Sequence, residues 1–145
     1  MSLPISSWIL WALLSAAFAA LTAVFAKVGI ENVNSDFATL IRTFVILGAA
    51  GGMVALTGHW KDPSSLSGRT WIFLILSGLA TGASWICYFR ALKIGNAAQV
   101  APVDKLSVVM VAVFAAVFLG EKLSAINWAG VLLIATGAVL VALRV

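Results

Sequence analysis

Residues 96–124 read NAAQVAPVDKLSVVMVAVFAAVFLGEKLS and contain a long apolar run. From Leu106 to Leu119 every residue except Ser107 is apolar, so a helix here has no water-facing stripe. A helix that is apolar on all sides is buried in lipid or among other helices. The segment therefore predicts a membrane-spanning helix.

Two charged residues, Asp104 and Lys105, lie inside this predicted helix. Counted from Ala98, they lie about 9 to 11 Å along an axis that rises about 1.5 Å per residue. Charged side chains at that depth usually face a polar cavity or a partner, because exposure to lipid is costly. Both are therefore candidates for binding a substrate or a coupling ion. As neighbours they lie about 100° apart on a helix, so we do not expect them to bond each other.

The composition of the whole chain indicates an integral membrane protein. Its 145 residues are 63% hydrophobic and 10% charged, with a mean hydropathy of +1.12, whereas soluble domains are about 45–50% apolar and about 25% charged. The net charge of +4 is scattered among apolar runs and forms no basic patch, so no nucleic acid partner is expected. Because Cys87 and His59 are the only residues of their kinds, we expect no disulfide, no metal and no cofactor.

Apolar runs predict an all-α integral membrane fold with five transmembrane helices in a single domain, residues 1–145. The first run lacks the basic front of a signal peptide and is expected to remain as a span. Ser35 or Asp36 is expected to cap the second helix, and residues 57–69 form the longest connection. The predicted helices cover residues 7–26, 37–56, 71–90, 98–119 and 127–143.

With five spans and short connections, the turns at residues 29–34 and 95–96 lie on the same side of the membrane. This side is expected to form a polar, net-positive vestibule. Asp36 or Asp104 could pair there with one of the basic side chains. The charges nearest the membrane interior on this side are Lys27, Asp36, Arg42, Arg90, Lys93, Asp104 and Lys105.

Arg42 and two aromatic residues are further candidates for contact with a substrate. Arg42 lies about 9 Å into its helix, where a binding or helix-pairing role competes with snorkelling to the interface. Trp85 lies well inside the third span, away from the interfacial belts where tryptophan concentrates. With Tyr88, it is a candidate for lining a pocket, and core packing is the alternative.

The lysine and arginine residues at the span ends are balanced across the membrane. Three lie on one side (Lys27, Lys93, Arg144) and three on the other (Lys61, Arg69, Lys122). Counting the deeper Arg42, Arg90 and Lys105 as well gives six against three, which could fix one orientation and favour a parallel dimer or a partner protein. A weak bias instead permits insertion both ways, so that two copies form an antiparallel homodimer with the inverted symmetry of many secondary transporters.

Four segments carry a family resemblance: YFRALKIG at 88–95, AQVAP at 98–102, FLGEKLS at 118–124 and GVLLIATG at 130–137. Their combined spacing resembles the EamA domain of the drug/metabolite transporter superfamily, in the short branch with one five-helix unit where most relatives have two in tandem. Gly120 and Glu121 form the turn of the family motif. A second proline common in the family is absent, so Pro102 alone is expected to distort the fourth helix.

The resemblance implies transport of a small molecule, commonly export of a metabolite, by helices around a central cavity. We expect one half of an inverted-repeat transporter, working by alternating access in a prokaryotic plasma (inner) membrane. Its expected partners are the lipid bilayer, a small-molecule substrate and an antiparallel second copy. A small dual-topology channel and a non-transporting membrane subunit are the alternatives, and an enzyme is not expected because no nucleophile–base set appears.

Overall fold

The computed structural model describes residues 7–143, which form six α-helices, one short 3-10 helix at Pro63–Ser65 and no strand. This confirms the all-α fold. Helices are required because backbone N–H and C=O groups find no water to bond in the bilayer core. The α-helices are α1 (Ser7–Gly29), α2 (Ser35–Thr57), α3 (Gly68–Ile94), α4 (Ala97–Asp104), α5 (Leu106–Phe118) and α6 (Ala125–Ala142).

The five predicted spans are confirmed: α1, α2, α3, the α4–α5 pair and α6 are each long and apolar enough to cross a bilayer. Their ends differ from the sequence-based bounds by a few residues. The third helix differs most, because it covers Gly68–Ile94 instead of residues 71–90. Arg144, counted at the end of the fifth span, lies outside the described residues.

The second helix is capped by Asn34, so the expectation of a Ser35 or Asp36 cap was wrong. The Asn34 side-chain oxygen accepts from the N–H groups of Asp36 at 2.9 Å and Phe37 at 3.3 Å. Asn34 has extended backbone angles, φ −61° and ψ 132°, as a capping residue must. Ser35 is already helical, and its side chain cannot serve the first N–H groups in the same way.

The connection between α2 and α3 is held by local hydrogen bonds. Asp62 caps the 3-10 helix by accepting from the Ser64 N–H at 2.9 Å, and this bond lowers the pKa of the Asp62 carboxyl below its usual value. The indole N–H of Trp71 donates to the Pro63 carbonyl at 3.3 Å. An interfacial tryptophan at the start of α3 is thereby tied to the aqueous loop.

The fourth span is two helices, α4 and α5, separated at Lys105; the continuous helix expected over residues 98–119 is divided. Pro102 has no N–H and removes one bond from the helical ladder. One turn later the Lys105 N–H is shared between the carbonyls of Ala101 at 3.3 Å and Pro102 at 3.1 Å, and the Val108 N–H reaches the Lys105 carbonyl at 3.0 Å. These tighter i to i−3 bonds interrupt the α-helix.

The described chain divides into two compact units. One contains the residues up to Lys27 and those from Ile94 onward, and the other is Val28–Lys93. In the first unit, α4 and α5 pack against α6 with Cα atoms within 8 Å, and Ala115 and Ala138 are buried there. Small side chains allow such close approach between membrane helices. The single domain expected over residues 1–145 stays a prediction.

The unit Val28–Lys93 has a small buried core near the start of α2 and the end of α3. Phe89 and Leu92 of α3 are buried together with Ile30 and Thr39. The Thr39 hydroxyl is satisfied, since it donates to the Ser35 carbonyl at 2.8 Å. This core fixes the part of α2 and α3 that carries most of the candidate site residues.

Candidate functional site

Arg42 lies against the aromatic face of α3. Its guanidinium carbon is 4.4 Å from the centroid of the Trp85 ring and 5.3 Å from that of Phe89. Trp85 and Phe89 are four residues apart, so they share one face of the helix. Arg42 lies seven residues after Ser35, about 10 Å from the start of α2. The structure therefore places a cation and two rings together inside the predicted spans.

The guanidinium lies over both rings, which are not the oxygen acceptors that its N–H groups bond most strongly. A cation over an aromatic face within about 6 Å is attracted by about 0.5 to 2 kcal/mol, more as water is excluded. Arginine has five N–H donors in a fixed planar arrangement and no acceptor. Within the unit Val28–Lys93, no carboxylate lies within 4.0 Å of an Arg42 nitrogen. Arg42 is half-buried, and its donors bond no acceptor in that unit.

Arg90, another candidate, is paired with Asp36. Its Nε donates to Oδ1 at 3.0 Å and its Nη2 donates to Oδ2 at 2.8 Å, which is the two-pronged geometry preferred by arginine and carboxylate. Of the partners considered for Asp36 from the sequence, the structure selects Arg90. The pair joins the first turns of α2 to the last turns of α3 and lies at an exposed surface.

Two lysines donate to backbone carbonyls at the ends of helices. The Lys93 ammonium lies 2.6 Å from the carbonyl oxygen of Ile30, 2.7 Å from that of Glu31 and 3.2 Å from that of Val33. Lys27 donates to the Gly95 carbonyl at 2.7 Å. Carbonyls after a helix lack intrahelical partners, and a cation there also meets the negative end of the helix dipole. Sequence reasoning missed these contacts, although a lysine that ends a span beside a short turn is the available signal.

The aromatic candidates are arranged around a residue that sequence reasoning missed. Trp85 and Tyr88 are half-buried, whereas Phe89 is only 2% exposed. The rings of Tyr88 and Phe89 meet edge to face, with centroids 6.5 Å apart. The four-residue spacing between Trp85 and Phe89 was the sequence signal for a shared aromatic face.

Asp104 and Lys105 contact each other, contrary to the expectation from their sequence spacing. The Lys105 ammonium lies 3.3 Å from an Asp104 carboxylate oxygen. An angle of about 100° between neighbours applies to a regular helix, and the helix is interrupted at Lys105. The Lys105 side chain is 55% exposed and that of Asp104 34% exposed, so both have surface left for other partners.

Comparison with known families matches residues 6–143 to the EamA-like transporter family. The chain belongs to the EamA-like transporter family. A protein of Sinorhizobium sp., described as an uncharacterized transporter in the cobO 3′ region, is 69% identical over 136 residues, which cover 94% of this chain and 96% of the relative. No solved structure matches the chain. The resemblance found in the sequence is thus confirmed, and the protein is a multi-pass membrane transporter by family.

The Gly120-Glu121 pair of this EamA-like chain forms a helix-ending turn. Gly120 has a positive φ of 69°, which glycine adopts without steric cost. The N–H groups of Leu119 and Glu121 both donate to the Ala115 carbonyl, each at 3.1 Å, and so close the end of α5. Ser124 then caps α6 by accepting from the Asn127 N–H at 3.2 Å. Gly120 and Glu121 thus shape the connection between α5 and α6.

The EamA-like chain offers no cluster of metal ligands within residues 7–143: no group of three or more His, Cys, Asp or Glu side chains is placed to hold an ion. The chemistry available at the Arg42 group is binding. A fixed cation, two flat apolar faces and unpaired N–H donors can hold a small molecule by charge, hydrogen bonds and ring contact.

Proposed function

We propose that this protein is a secondary transporter that exports a small metabolite by alternating access across a prokaryotic plasma (inner) membrane. Family membership and the transporter-named relative support transport, and five membrane-length helices support a path through the bilayer. The observation that carries the proposal is the Arg42 guanidinium, which lies over the rings of Trp85 and Phe89 without a carboxylate partner in its unit.

An arginine inside a membrane span has a free-energy cost. At a helix centre it disfavours insertion by about 2.5 to 3.5 kcal/mol, and less toward the interface. The neighbouring Arg90, in the same unit, is neutralised by Asp36. Arg42 lacks such a partner, and this favours a role in binding a transported molecule.

The transport unit in this proposal is an antiparallel homodimer. Most apolar side chains of each span are exposed within one chain, so every helix keeps surface for lipid or for a second copy. Balanced lysine and arginine counts at the span ends permit both orientations. Two inverted copies would supply ten helices and two chemically identical mouths that exchange roles during alternating access.

Flux in proteoliposomes tests the proposal. Purified protein is reconstituted, and uptake of radiolabelled metabolites is measured with and without an imposed proton or sodium gradient. We expect flux that saturates with substrate concentration and follows the gradient. Flux that rises linearly with concentration would indicate a channel. The absence of flux for every metabolite class would indicate a non-transporting subunit, and either result would overturn the proposal.

A further inference from the structure

Resting on the proposed transport function, we propose that the transported molecule carries an oxyanion group, a carboxylate or a phosphate, and that Arg42 binds it. The proposal names the chemistry of the substrate, which family membership leaves open. It follows from how the cations of the unit Val28–Lys93 are partnered, from the position of the Arg42 guanidinium over two rings and from the charge that the site would otherwise leave unneutralised.

Three of the basic residues in the unit Val28–Lys93, Arg42, Arg90 and Lys93, have different partners. Arg90 has a carboxylate that takes two of its donors, at 2.8 and 3.0 Å. Lys93 is surrounded by three carbonyl oxygens between 2.6 and 3.2 Å. Arg42 has only aromatic rings, at 4.4 and 5.3 Å. Arg42 alone among the three has no oxygen acceptor within the unit, so none of its donors is engaged there.

The geometry of the Arg42 guanidinium favours an oxyanion over other groups. Contact with Trp85 and Phe89 restricts where the guanidinium can lie, so its N–H donors reach a limited region. A carboxylate or phosphate accepts two parallel N–H bonds from a guanidinium. A neutral amide offers one weaker acceptor, and an ammonium group would be repelled by like charge.

Charge gives a second reason for an oxyanion. A cation inside a span is destabilised by the low-dielectric surroundings, and the rings offset only part of that cost. A bound anion neutralises the cation and gains a strong electrostatic interaction for the same reason. The site therefore discriminates by charge first and by the shape of the remaining molecule second.

The first experiment measures binding without requiring transport. Thermal unfolding of the purified protein is followed with succinate, benzoate and inorganic phosphate, and with succinamide and benzamide as neutral matches of the same shape. We expect the oxyanions to raise the unfolding temperature and the amides to leave it unchanged. The phosphate arm separates a phosphate preference from a carboxylate preference.

Variants assign the effect to Arg42. We expect Arg42→Gln to weaken oxyanion binding by about tenfold or more, because a charged hydrogen bond is lost, and Arg42→Lys to retain part of it, because charge remains without the fork. The matched control is Arg69→Gln. Arg69 also lies over an aromatic ring of α3, at 5.9 Å from the Phe73 centroid, but at the loop end of the helix. Monodisperse elution of each variant shows that it is folded.

The outcomes separate this inference from the proposed function. Oxyanion binding that is lost in Arg42→Gln and kept in Arg69→Gln supports the inference. Equal stabilisation by the amides, no stabilisation by any oxyanion, or full binding in Arg42→Gln would overturn it. Flux of the same five probes in proteoliposomes is scored separately: saturable flux of neutral compounds would overturn the inference and leave transport intact, whereas oxyanion binding without flux of any probe would overturn the proposed function.

Discussion

Arg42 and Arg90 show how surroundings distinguish two arginines of one unit. Arg90 is bonded at both prongs by Asp36, while the contacts of Arg42 are to the rings of Trp85 and Phe89. The first arrangement neutralises charge between α2 and α3. The second holds a charge in place without neutralising it, and this is the property a binding residue needs.

Trp85 and Phe89 contact the same guanidinium but differ in burial, so we expect their replacement to have different effects. Trp85 is half-buried and closer to the cation, whereas Phe89 is 2% exposed. We expect Trp85→Ala to raise the KM for transport and to lower the free energy of unfolding less than Phe89→Ala does. Phe89→Ala is expected to lower the free energy of unfolding by about 3 kcal/mol through loss of packing.

Unfolding in detergent and flux in proteoliposomes, measured on both variants, check this crossover. Arg69→Gln serves again as the unaffected reference. If Trp85→Ala left KM at the wild-type value while destabilising the protein as much as Phe89→Ala, the tryptophan would be a packing residue and its contact with Arg42 would have no role in binding.

At the scale of single residues, the sequence predicted which side chains to examine but not how they pair. Depth along a helix is countable, so Arg42, Trp85 and Arg90 could be selected as candidates. Pairing depends on how two helices rotate against each other, which no local pattern determines. The partners of Phe89 and Lys93 were missed for that reason, since they lie on other segments.

At the scale of the helices, the start of α2 gives a sharp test of the observed cap. Asn34 accepts two N–H bonds at this end, whereas Ser35 lies inside the first turn. We expect Asn34→Ala to lower the free energy of unfolding by about 1 kcal/mol. Ser35→Ala is the matched control and is expected to change it little. Equal destabilisation by the two variants in denaturant titrations would contradict the assigned cap.

Pro102 permits a second prediction at this scale. A proline inside a helix costs about 3 kcal/mol relative to alanine, and α4 ends two residues after Pro102. We expect Pro102→Ala to raise the unfolding temperature and to slow flux, because an uninterrupted fourth span moves less readily. Pro63→Ala, at the first position of the 3-10 helix in the loop, is the control and should leave flux unchanged. Wild-type flux in Pro102→Ala would show that the break serves no function in transport.

The helices themselves were predictable because lipid imposes a simple rule. Each apolar run must satisfy its own backbone hydrogen bonds, so each run that is long enough to cross the bilayer forms one helical span. The cap and the break were harder to place. Asn34, Ser35 and Asp36 are all good capping residues in sequence, and only the backbone angles identify Asn34 as the last non-helical residue before α2. A proline indicates that a helix is disturbed nearby, but the contacts of the neighbouring residues determine where regular helical hydrogen bonding resumes.

At the scale of the whole molecule, the proposal is that two copies inserted in opposite orientations form one transporter. The balanced charges at the span ends allow both orientations, and lysines added on one side of the membrane are expected to retain that side in the cytoplasm. Several lysines in the connection between α2 and α3 would therefore fix one orientation. Lysines appended at the C-terminus, on the opposite side in a five-span topology, would fix the other.

Flux from these two orientation-locked variants, expressed singly and together, is the most direct measurement. A cysteine at Lys61, labelled from one side of the membrane in a Cys87→Ser background, verifies the orientation of each. We predict background flux from either variant alone and restored, saturable flux on co-expression. Wild-type flux from one locked variant alone would contradict the inverted pair.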